Sequence, residues 1–552
     1  MKFFIRIKRP SFSFLFAFLF CLKVFAQDQK VDRLYSVGEG EPGYSVAVYQ
    51  GDKIILERQY GSAALEYDIH ISSETVFDIG SIGKQFTAAA ILLLELEGKL
   101  SLSDPVYKYI ENLPRYKLGD PTIEHLLNQT SGIREVDPFL EVADIYFRDY
   151  RSQSQMVNII TKIEDLAFAP GDYFYYTNAN YVLLASVIEQ ASGQSYTSYL
   201  EENIFDPLGM DRTFVDRNVY TKIKNRALGY TEDEGRYYKT NLYFLKYVGD
   251  GQILTTARDM FKWHQNLKHS TIGSPELWKK MYTKAILNDG TTINFGLGAE
   301  FETHNGYDAM GFDGMIRAGF VSKYLYFPVL DMAFFTAQNT FDWEFRDRFF
   351  QFVDLYVPMA ESKSQPIHQF EEINLTKQEL EKYEGNYLFY RHDEDRKANI
   401  VQLKNDQLFV FTLDGDRVAK LVPIGNDQFY FGEDRDAIVT FGINGDKKHY
   451  TYDELDHTIP WVFNEYEPFE HSDRELREFE GTYYNEDFQL SKKLELENGV
   501  LFYYWKNGAW REEMTSLSKD LMEIPSSPIE FIRNGNNQLS GFSIMGLVFQ
   551  KM

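Results

Sequence analysis

The spacing of apolar residues changes twice along the chain, and the changes mark three regions. Residues 31–358 mix helix-like and strand-like spacing. Residues 359–377 (MAESKSQPIHQFEEINLTK) are mostly polar and contain a proline, a composition typical of a linker. Residues 378–552 are rich in Tyr, Phe and Val and carry Asp-Gly and Asn-Gly turns, so they predict antiparallel strands.

The first region predicts an α+β layer fold, with strands at both ends and helices between them. The residues from Ser81 to Leu100 are apolar on nearly every face, which predicts a helix buried in a core. A second helix is expected at Tyr181–Ala191, ended by Ser192 and Gly193. The strand-like runs, of which the first two predict a hairpin, are Tyr44–Tyr49, Lys53–Gln59, Leu325–Pro328 and Met332–Ala337.

The third region contains a repeat. The segment Leu380-Glu-Lys-Tyr-Glu-Gly385-Asn-Tyr387 is similar to Leu476-Arg-Glu-Phe-Glu-Gly481-Thr-Tyr483, 96 residues further on. Two copies at this spacing predict two small β-barrels or half-barrels, at residues 378–470 and 471–552. The alternative is a single β-sandwich with chance similarity.

The first 26 residues are typical of a secretory signal peptide. Lys2, Arg6, Lys8 and Arg9 precede a short run of Phe and Leu, and small-residue positions near Ala26 predict cleavage there. This run is short for a membrane span, and no second candidate span follows. We therefore expect a periplasmic or secreted bacterial protein with no membrane span in its mature chain.

Cysteine usage excludes several kinds of chemistry for the mature protein. The single cysteine, Cys21, lies in the predicted leader, where Phe20 does not fit a lipid-attachment signal. After cleavage the chain would hold no disulfide, no thiolate metal site and no cysteine nucleophile. The ten histidines are scattered, so we expect neither a metal nor a cofactor.

The charge balance excludes nucleic acid as a partner. Five of the 57 basic residues lie in the predicted leader, so 52 basic residues stand against 82 acidic ones in the mature chain. Such a surface repels nucleic acid and anionic membranes. It favours solubility, and it would also attract cationic substrates such as peptides with free amines.

Ser81-Ile82-Gly83-Lys84 is the first element that carries chemistry. On a helix, Ser81 and Lys84 share one face, and the helix start supplies backbone N–H groups for a developing oxyanion. A buried lysine beside the serine is able to accept its proton. Taken alone, the same string also fits a helix-capping serine with a surface lysine.

Tyr176-Thr177-Asn178 is the second such element, and it precedes a predicted helix. A tyrosine next to a lysine ammonium is driven toward phenolate and then serves as a base. An amide two residues later is suited to orienting substrate. The alternative for this element is a turn with packed aromatic residues.

Together these elements resemble the serine β-lactamase and penicillin-binding-protein superfamily, in its class C-like (peptidase family S12-like) branch of esterases, D-aminopeptidases and D,D-peptidases. The segment Leu126–Ile133 is similar to the family's Leu-Leu-Thr-His-Thr-Ser-Gly stretch, with Gln129 in place of the usual histidine. The matching segments, in the expected order over residues 42 to about 340, are Pro42-Gly43, Thr75–Thr87, Leu126–Ile133, Tyr176–Asn178, and Gly249–Met260 with Trp263.

The resemblance implies a β-lactamase/transpeptidase-like catalytic domain, an antiparallel sheet with helices, followed by two all-β barrel-like domains. It also implies an acyl-enzyme on Ser81, assisted by Lys84 and Tyr176, with either of the two taking the first proton. Asn178 would bind substrate, and the N–H groups of Ser81 and Met315 would hold the oxyanion.

The third family motif departs from the pattern. Phe312-Asp313-Gly314 falls where His-x-Gly or Lys-Thr-Gly is usual, and His304-Asn305-Gly306 looks like the preceding hairpin turn. A cation at position 312 would normally contact a substrate carboxylate, which Phe312 does not do. This favours esters, small amides or D-amino acid peptides over β-lactams and D,D-peptides. A binding protein on a hydrolase scaffold is the alternative from another class.

Overall fold

The computed structural model describes residues 28–145, 149–218, 220–240, 244–316, 319–360, 371–389, 397–413, 415–425, 427–432, 437–444, 447–453, 461–505, 508–525 and 527–552. The predicted leader (1–26) and residues 361–370 of the predicted linker lie outside the described residues. The chain forms two compact units. The first comprises Met1–Glu97, Ser192–Thr283 and Gly298–Gln365, and the second comprises Gly98–Ala191, Lys284–Leu297 and Pro366–Met552.

Strands and helices alternate up to residue 358. The strands are β1 (Tyr44–Gln50), β2 (Lys53–Tyr60), β3 (Ser62–Ala64), β4 (Ile69–His70), β5 (Phe77–Asp78), β6 (Arg151–Ser152), β7 (Phe214–Val215), β8 (Tyr230–Asp233), β9 (Arg236–Lys239), β10 (Leu245–Lys246), β11 (Ile253–Thr255), β12 (Glu300–His304), β13 (Tyr307–Ile316), β14 (Phe320–Phe327) and β15 (Met332–Gln338). The helices are α1 (28–35), α2 (Lys84–Leu96), α3 (Ile123–Leu127), α4 (Asp137–Val142), α5 (Gln153–Ile160), α6 (Asn178–Ser192), α7 (Tyr196–Leu200), α8 (Asp206–Leu208), α9 (Ala257–His269), α10 (Pro275–Met281) and α11 (Phe345–Asp354). Shorter 3-10 turns lie at Leu65–Tyr67, Gly80–Gly83, Val106–Lys108 and Pro328–Leu330, and a π-helical turn at Glu201–Phe205.

An antiparallel six-stranded sheet forms the centre of the first unit, in the order β12-β13-β14-β15-β1-β2. Its alternating side chains cover two faces, as a strand period of two requires. On one face Val46 and Val48 pack with Phe349 and Phe352 of α11. On the other face Tyr49 contacts Phe261 of α9, with ring centroids 5.2 Å apart. The predicted hairpin is confirmed, because β1 and β2 pair antiparallel.

Three predicted elements have bounds that differ from the structure by more than one residue. The first predicted helix spans only Lys84–Leu96, because Ser81 belongs to the 3-10 turn before it. The second begins earlier than expected, at Asn178. Pro328 follows β14 rather than ending it, since it opens a 3-10 turn that returns the chain to β15.

Two all-β domains follow, as the fold prediction stated. The first is a closed barrel of strands β16 (Gly385–Phe389), β17 (Lys397–Lys404), β18 (Gln407–Thr412), β19 (Arg417–Gly425), β20 (Gln428–Phe431), β21 (Ile438–Asn444), β22 (Lys447–Asp453) and β23 (Trp461–Glu465). The second is a sheet in the order β27-β26-β25-β24-β32-β31-β30-β29-β28. Its strands are β24 (Gly481–Asn485), β25 (Leu490–Glu497), β26 (Val500–Trp505), β27 (Trp510–Glu513), β28 (Thr515–Ser518), β29 (Leu521–Ile524), β30 (Ser527–Arg533), β31 (Leu539–Ile544) and β32 (Leu547–Lys551). Only Met514 separates its two edge strands, β27 and β28, so the sheet curls into a barrel-like form.

Both β-domains open with the same local structure. Helices α12 (Lys377–Glu381) and α13 (Asp473–Phe479) each begin with a capping box, Thr376 with Glu379 and Ser472 with Glu475. In the strand that follows each helix, a tyrosine hydroxyl donates to the backbone carbonyl four residues earlier. Tyr387 donates to Tyr383 at 3.0 Å, and Tyr483 donates to Phe479 at 2.6 Å. Among the described residues, no helix has both the length and the apolar character needed to cross a membrane.

Candidate active site

The turn that carries the predicted nucleophile Ser81, here called the nucleophile turn (Gly80–Gly83), lies in the first unit, between β5 and α2. Strand β5 pairs with β11, and the Ile79 N–H donates to the Ile253 carbonyl at 3.0 Å. Gly80 then takes a left-handed conformation (φ 50°), which glycine adopts without steric cost. This turn places Ser81 at a partly exposed position ahead of the buried helix.

Lys84 lies beside Ser81, as the spacing predicts. Its Nζ is 3.1 Å from the Ser81 Oγ and donates to the Asp250 carbonyl at 2.8 Å. The lysine side chain is buried, with 0% of its surface exposed. The distance between the amine and the serine hydroxyl is within the reach of a general base.

Strand β13 runs against the nucleophile turn. A Cβ on Gly314 would lie 1.9 Å from the Ile79 carbonyl oxygen, and a Cβ on Gly80 would lie 2.8 Å from the Met315 nitrogen. The Ser322 hydroxyl, opposite Gly314 on β14, donates to the Ile79 carbonyl at 2.8 Å. The structure therefore brings Ser81, Lys84, Gly314 and the Met315 amide together, while the Met315 side chain is exposed.

Phe312 lies on the same strand but is buried, with 2% of its surface exposed. It pairs across the sheet with Tyr324, whose hydroxyl forms a 2.8 Å hydrogen bond with His264 Nδ1. Burial lowers the pKa of His264 to about 4, so this histidine is neutral near pH 7. The cross-strand neighbour of Phe312 is thus an aromatic side chain bonded to a neutral histidine. The His304-Asn305-Gly306 string forms the β12–β13 hairpin turn, as expected.

A buried carboxylate lies directly before the nucleophile turn. Asp78 is 3% exposed and accepts a 3.0 Å hydrogen bond from the Gly80 N–H. Burial raises its pKa from 3.8 to about 6, although the Gly80 hydrogen bond and the nearby Arg226 lower it. Close by, Asp216 forms buried ion pairs with Lys246 at 2.8 Å and Arg226 at 2.7 Å. Sequence reasoning gave Asp78 no role.

Tyr176 and Asn178 lie in the second unit, where Gln129 holds the segment that contains them. Gln129 is fully buried, and its Oε1 accepts from the Thr177 N–H at 3.2 Å and from Asn180 Nδ2 at 2.6 Å. Its backbone carbonyl accepts from the Tyr175 N–H at 2.8 Å. Gln129 therefore fixes the backbone on both sides of Tyr176.

A carboxylate completes the start of α6. Glu135 Oε2 accepts from the Asn178 N–H at 2.8 Å, which satisfies one of the N–H groups that a helix leaves free at its start. A negative charge is also favourable at this end of the helix dipole. The approach of Tyr176 and Asn178 to Ser81 stays a prediction from the family resemblance.

Gln129, Glu135 and the Asp250 carbonyl are contacts that sequence reasoning missed. The only available signal was Gln129 itself, which stands where the family motif has histidine. Within the described residues, no group of three or more His, Cys, Asp or Glu side chains is arranged to hold a metal ion.

Comparison with known proteins agrees with the predicted family and fold. A family model described as Beta-lactamase matches residues 28–354. The D-aminopeptidase of Brucella canis is 28% identical over 276 residues, which cover 50% of this chain and 52% of that protein. Penicillin-binding protein 4* of Bacillus subtilis is 31% identical over 272 residues, 46% of this chain and 58% of that protein. The chain thus spans about half the length of the curated relatives it matches.

The solved structure of the octameric penicillin-binding protein homologue from Pyrococcus abyssi has a similar fold. The TM-score is 0.53 at 24% sequence identity, and the match covers 81% of this chain and 100% of that one. At this identity the match shows the fold alone.

Proposed function

This chain belongs to the beta-lactamase family, and on that premise we propose that it is a serine hydrolase that forms an acyl-enzyme on Ser81. The observation that carries the proposal is the 3.1 Å contact between a partly exposed serine hydroxyl and the amine of a fully buried lysine. The alternative for Ser81–Lys84, a capping serine followed by a surface lysine, does not fit, because the Lys84 side chain is fully buried.

The proposed reaction proceeds by acyl transfer. The Ser81 Oγ attacks the substrate carbonyl carbon while its proton passes to Lys84 or Tyr176, and the N–H groups of Ser81 and Met315 stabilise the oxyanion. The tetrahedral intermediate then expels the leaving alcohol or amine, which takes that proton. Water, activated by Tyr176 in the proposed role of base, attacks the acyl carbon and regenerates the Ser81 hydroxyl.

We propose esters, small amides or D-amino acid peptides as substrates. The identity and burial of Phe312 support this choice, because a phenyl ring offers no charge to a substrate carboxylate. Similarity to a D-aminopeptidase supports it as well. D,D-peptidase or β-lactamase activity is the second candidate, and similarity to a penicillin-binding protein favours it.

Labelling with a fluorophosphonate probe tests the nucleophile. We expect wild-type protein to gain one adduct on the peptide that contains Ser81, and Ser81→Ala to gain none. Ser103→Ala, at an exposed serine outside the proposed site, is the matched control and should label like wild type. A wild-type protein that takes no label would favour the binding-protein alternative.

A substrate panel separates the two candidate activities. We expect turnover of a p-nitrophenyl ester and a D-alanine p-nitroanilide to exceed turnover of nitrocefin. The reverse order would replace the proposed substrate class by β-lactams.

The proposed export, with cleavage near Ala26, is tested by the mass of the N-terminal peptide of protein purified from a bacterial periplasm or culture medium.

A further inference from the structure

Side chains from the region that matches the family model (residues 28–354) lie inside the core of the second β-domain. Phe139, Val142 and Ile163 are 1%, 0% and 5% exposed, and they belong to the same hydrophobic cluster as Tyr503 and Trp505 of that domain. Two of these three side chains come from the single helix α4. The core of the second β-domain is therefore completed by the segment that follows Glu135.

A buried ion pair fixes the same segment. Lys492 Nζ lies 2.6 Å from Asp144 Oδ1, and the two side chains are 0% and 11% exposed. Lys492 Nζ also lies 4.8 Å from the centre of the Trp505 ring. Burial lowers the pKa of Lys492, and the hydrogen bond with Asp144 opposes this shift. A charge buried among rings is tolerated only with its partner, so loss of either member is costly.

The segment between Asp144 and Glu135 is a short, hydrogen-bonded helical body. Backbone bonds join Leu140 N–H to the Val136 carbonyl at 3.1 Å and Ala143 N–H to the Phe139 carbonyl at 2.9 Å. The buried Arg151 bridges its two ends, since NH1 pairs with Asp137 at 3.5 Å and NH2 donates to the Ile145 carbonyl at 3.3 Å. A movement of Asp144 is therefore expected to displace Glu135 as well.

Glu135 connects this body to the proposed substrate-binding element, through its 2.8 Å bond from the Asn178 N–H. We propose that Lys492 is a positioning residue for Asn178, acting through Asp144, helix α4 and Glu135. The second β-domain in this way supports the Tyr176–Asn178 element. The kinetic side of the proposal rests on the proposed hydrolase function, whereas the positioning itself does not.

The deciding variant is Lys492→Met, which keeps the length of the side chain and removes the cation that Lys492 supplies to Asp144. We expect amide hydrogen exchange in peptides covering residues 175–182 to rise by about tenfold, and KM for an ester substrate to rise by about tenfold with a smaller change in kcat. A purely stabilising role would lower the melting temperature and leave both readouts unchanged below it.

Asp144→Asn and the double variant Asp144→Asn/Lys492→Met make the test specific. Asparagine tolerates the left-handed backbone at position 144 (φ 58°) and removes the carboxylate charge that Lys492 pairs with in the wild type. We expect the double variant to return exchange and KM toward wild-type values. Asp144→Asn alone should shift both in the direction of Lys492→Met but less, and it serves as the test if Lys492→Met fails to fold.

Lys448→Met is the matched control, because Lys448 pairs with Glu465 at 2.9 Å within the first β-domain. We expect it to change neither exchange at 175–182 nor KM. Unchanged exchange there in Lys492→Met and Asp144→Asn would overturn the proposal. Raised exchange in a protein whose wild type hydrolyses nothing would support the positioning and refute the proposed function instead.

Discussion

The nucleophile turn of the first unit and the Tyr176–Asn178 element of the second are held by different kinds of contact. The turn is held by steric fit, because Gly80 and Gly314 bring two backbones so close that a Cβ would overlap its neighbour. The Tyr176–Asn178 element is held by polar side chains, because Gln129 and Glu135 satisfy its backbone N–H groups.

The difference predicts two kinds of response to substitution. At a close contact between two backbones no flexible side chain can move aside, so an added methyl group must displace strand β13. A polar contact can be lost while the backbone stays near its place, at the cost of unpaired donors. We therefore expect near-complete loss of activity at the turn and graded loss at the Tyr176–Asn178 element.

Gly314→Ala is expected to give the largest effect. Its Cβ would lie 1.9 Å from the Ile79 carbonyl oxygen, so β13 must move and carry the Met315 amide away from the site. We expect kcat/KM to fall by about a thousandfold, the loss typical of a missing oxyanion donor. Steady-state kinetics on the ester substrate measure this.

Gly535→Ala is the control for this variant, because a Cβ there meets nothing within 4 Å. It should leave kcat/KM unchanged. A Gly314→Ala protein that keeps nearly full activity would show that the contact between the strand and the turn yields easily, and the steric half of the comparison would be wrong.

The sequence predicted contacts that are local and missed those that are distant. Ser81 and Lys84 are three residues apart, and the repeat of the β-domains is visible because its capping box and tyrosine recur within a dozen residues. Gln129 meets Thr177 across 48 residues and Lys492 meets Asp144 across 348. The type of a polar residue does not indicate which residue it will contact so far along the chain.

The shape of the nucleophile turn was also beyond prediction. Helical spacing accounts equally for Ser81 in a first helical turn and for Ser81 in a 3-10 turn before the helix. What decides is the left-handed Gly80, and that conformation depends on the tight approach of β13, which lies more than 200 residues later. Apolar pattern alone does not encode such an approach.

Asp78→Asn is expected to give the second largest effect, and it sharpens the comparison by removing a charge that the turn does not need. Between pH 3.8 and about 6 the unfolded chain has released this proton while the folded protein retains it, so the contribution of Asp78 to the stability of the wild type falls as pH rises through that window. Above about pH 6 the destabilisation of the folded protein by the buried Asp78 carboxylate is constant, at about 3 kcal/mol. Asparagine carries no charge and keeps an oxygen for the Gly80 N–H.

We therefore expect Asp78→Asn to unfold at higher urea concentration than wild type at pH 8 and at the same concentration near pH 3.5. Asp52→Asn is the control. Asp52 is exposed, and its hydrogen bond with His269 lowers its pKa, so its neutralisation should give no gain at pH 8. An Asp78→Asn variant that is less stable than wild type at pH 8 would mean that the carboxylate stabilises the turn.

Gln129→Met is expected to give the smallest effect and tests the polar half of the comparison. Methionine matches the length of glutamine but accepts no strong hydrogen bond, so the Thr177 N–H and Asn180 Nδ2 lose their shared acceptor. We expect the free energy of unfolding to fall by about 2 kcal/mol and KM to rise by about fivefold, with kcat less affected.

Gln153→Met is the control, because that buried glutamine donates to Val182 and Ser186, further along α6. It should cost similar stability without changing KM. Equal KM values in the two variants would mean that Gln129 stabilises α6 without orienting its start. The polar contact that orients Asn178 would then be the one with Glu135.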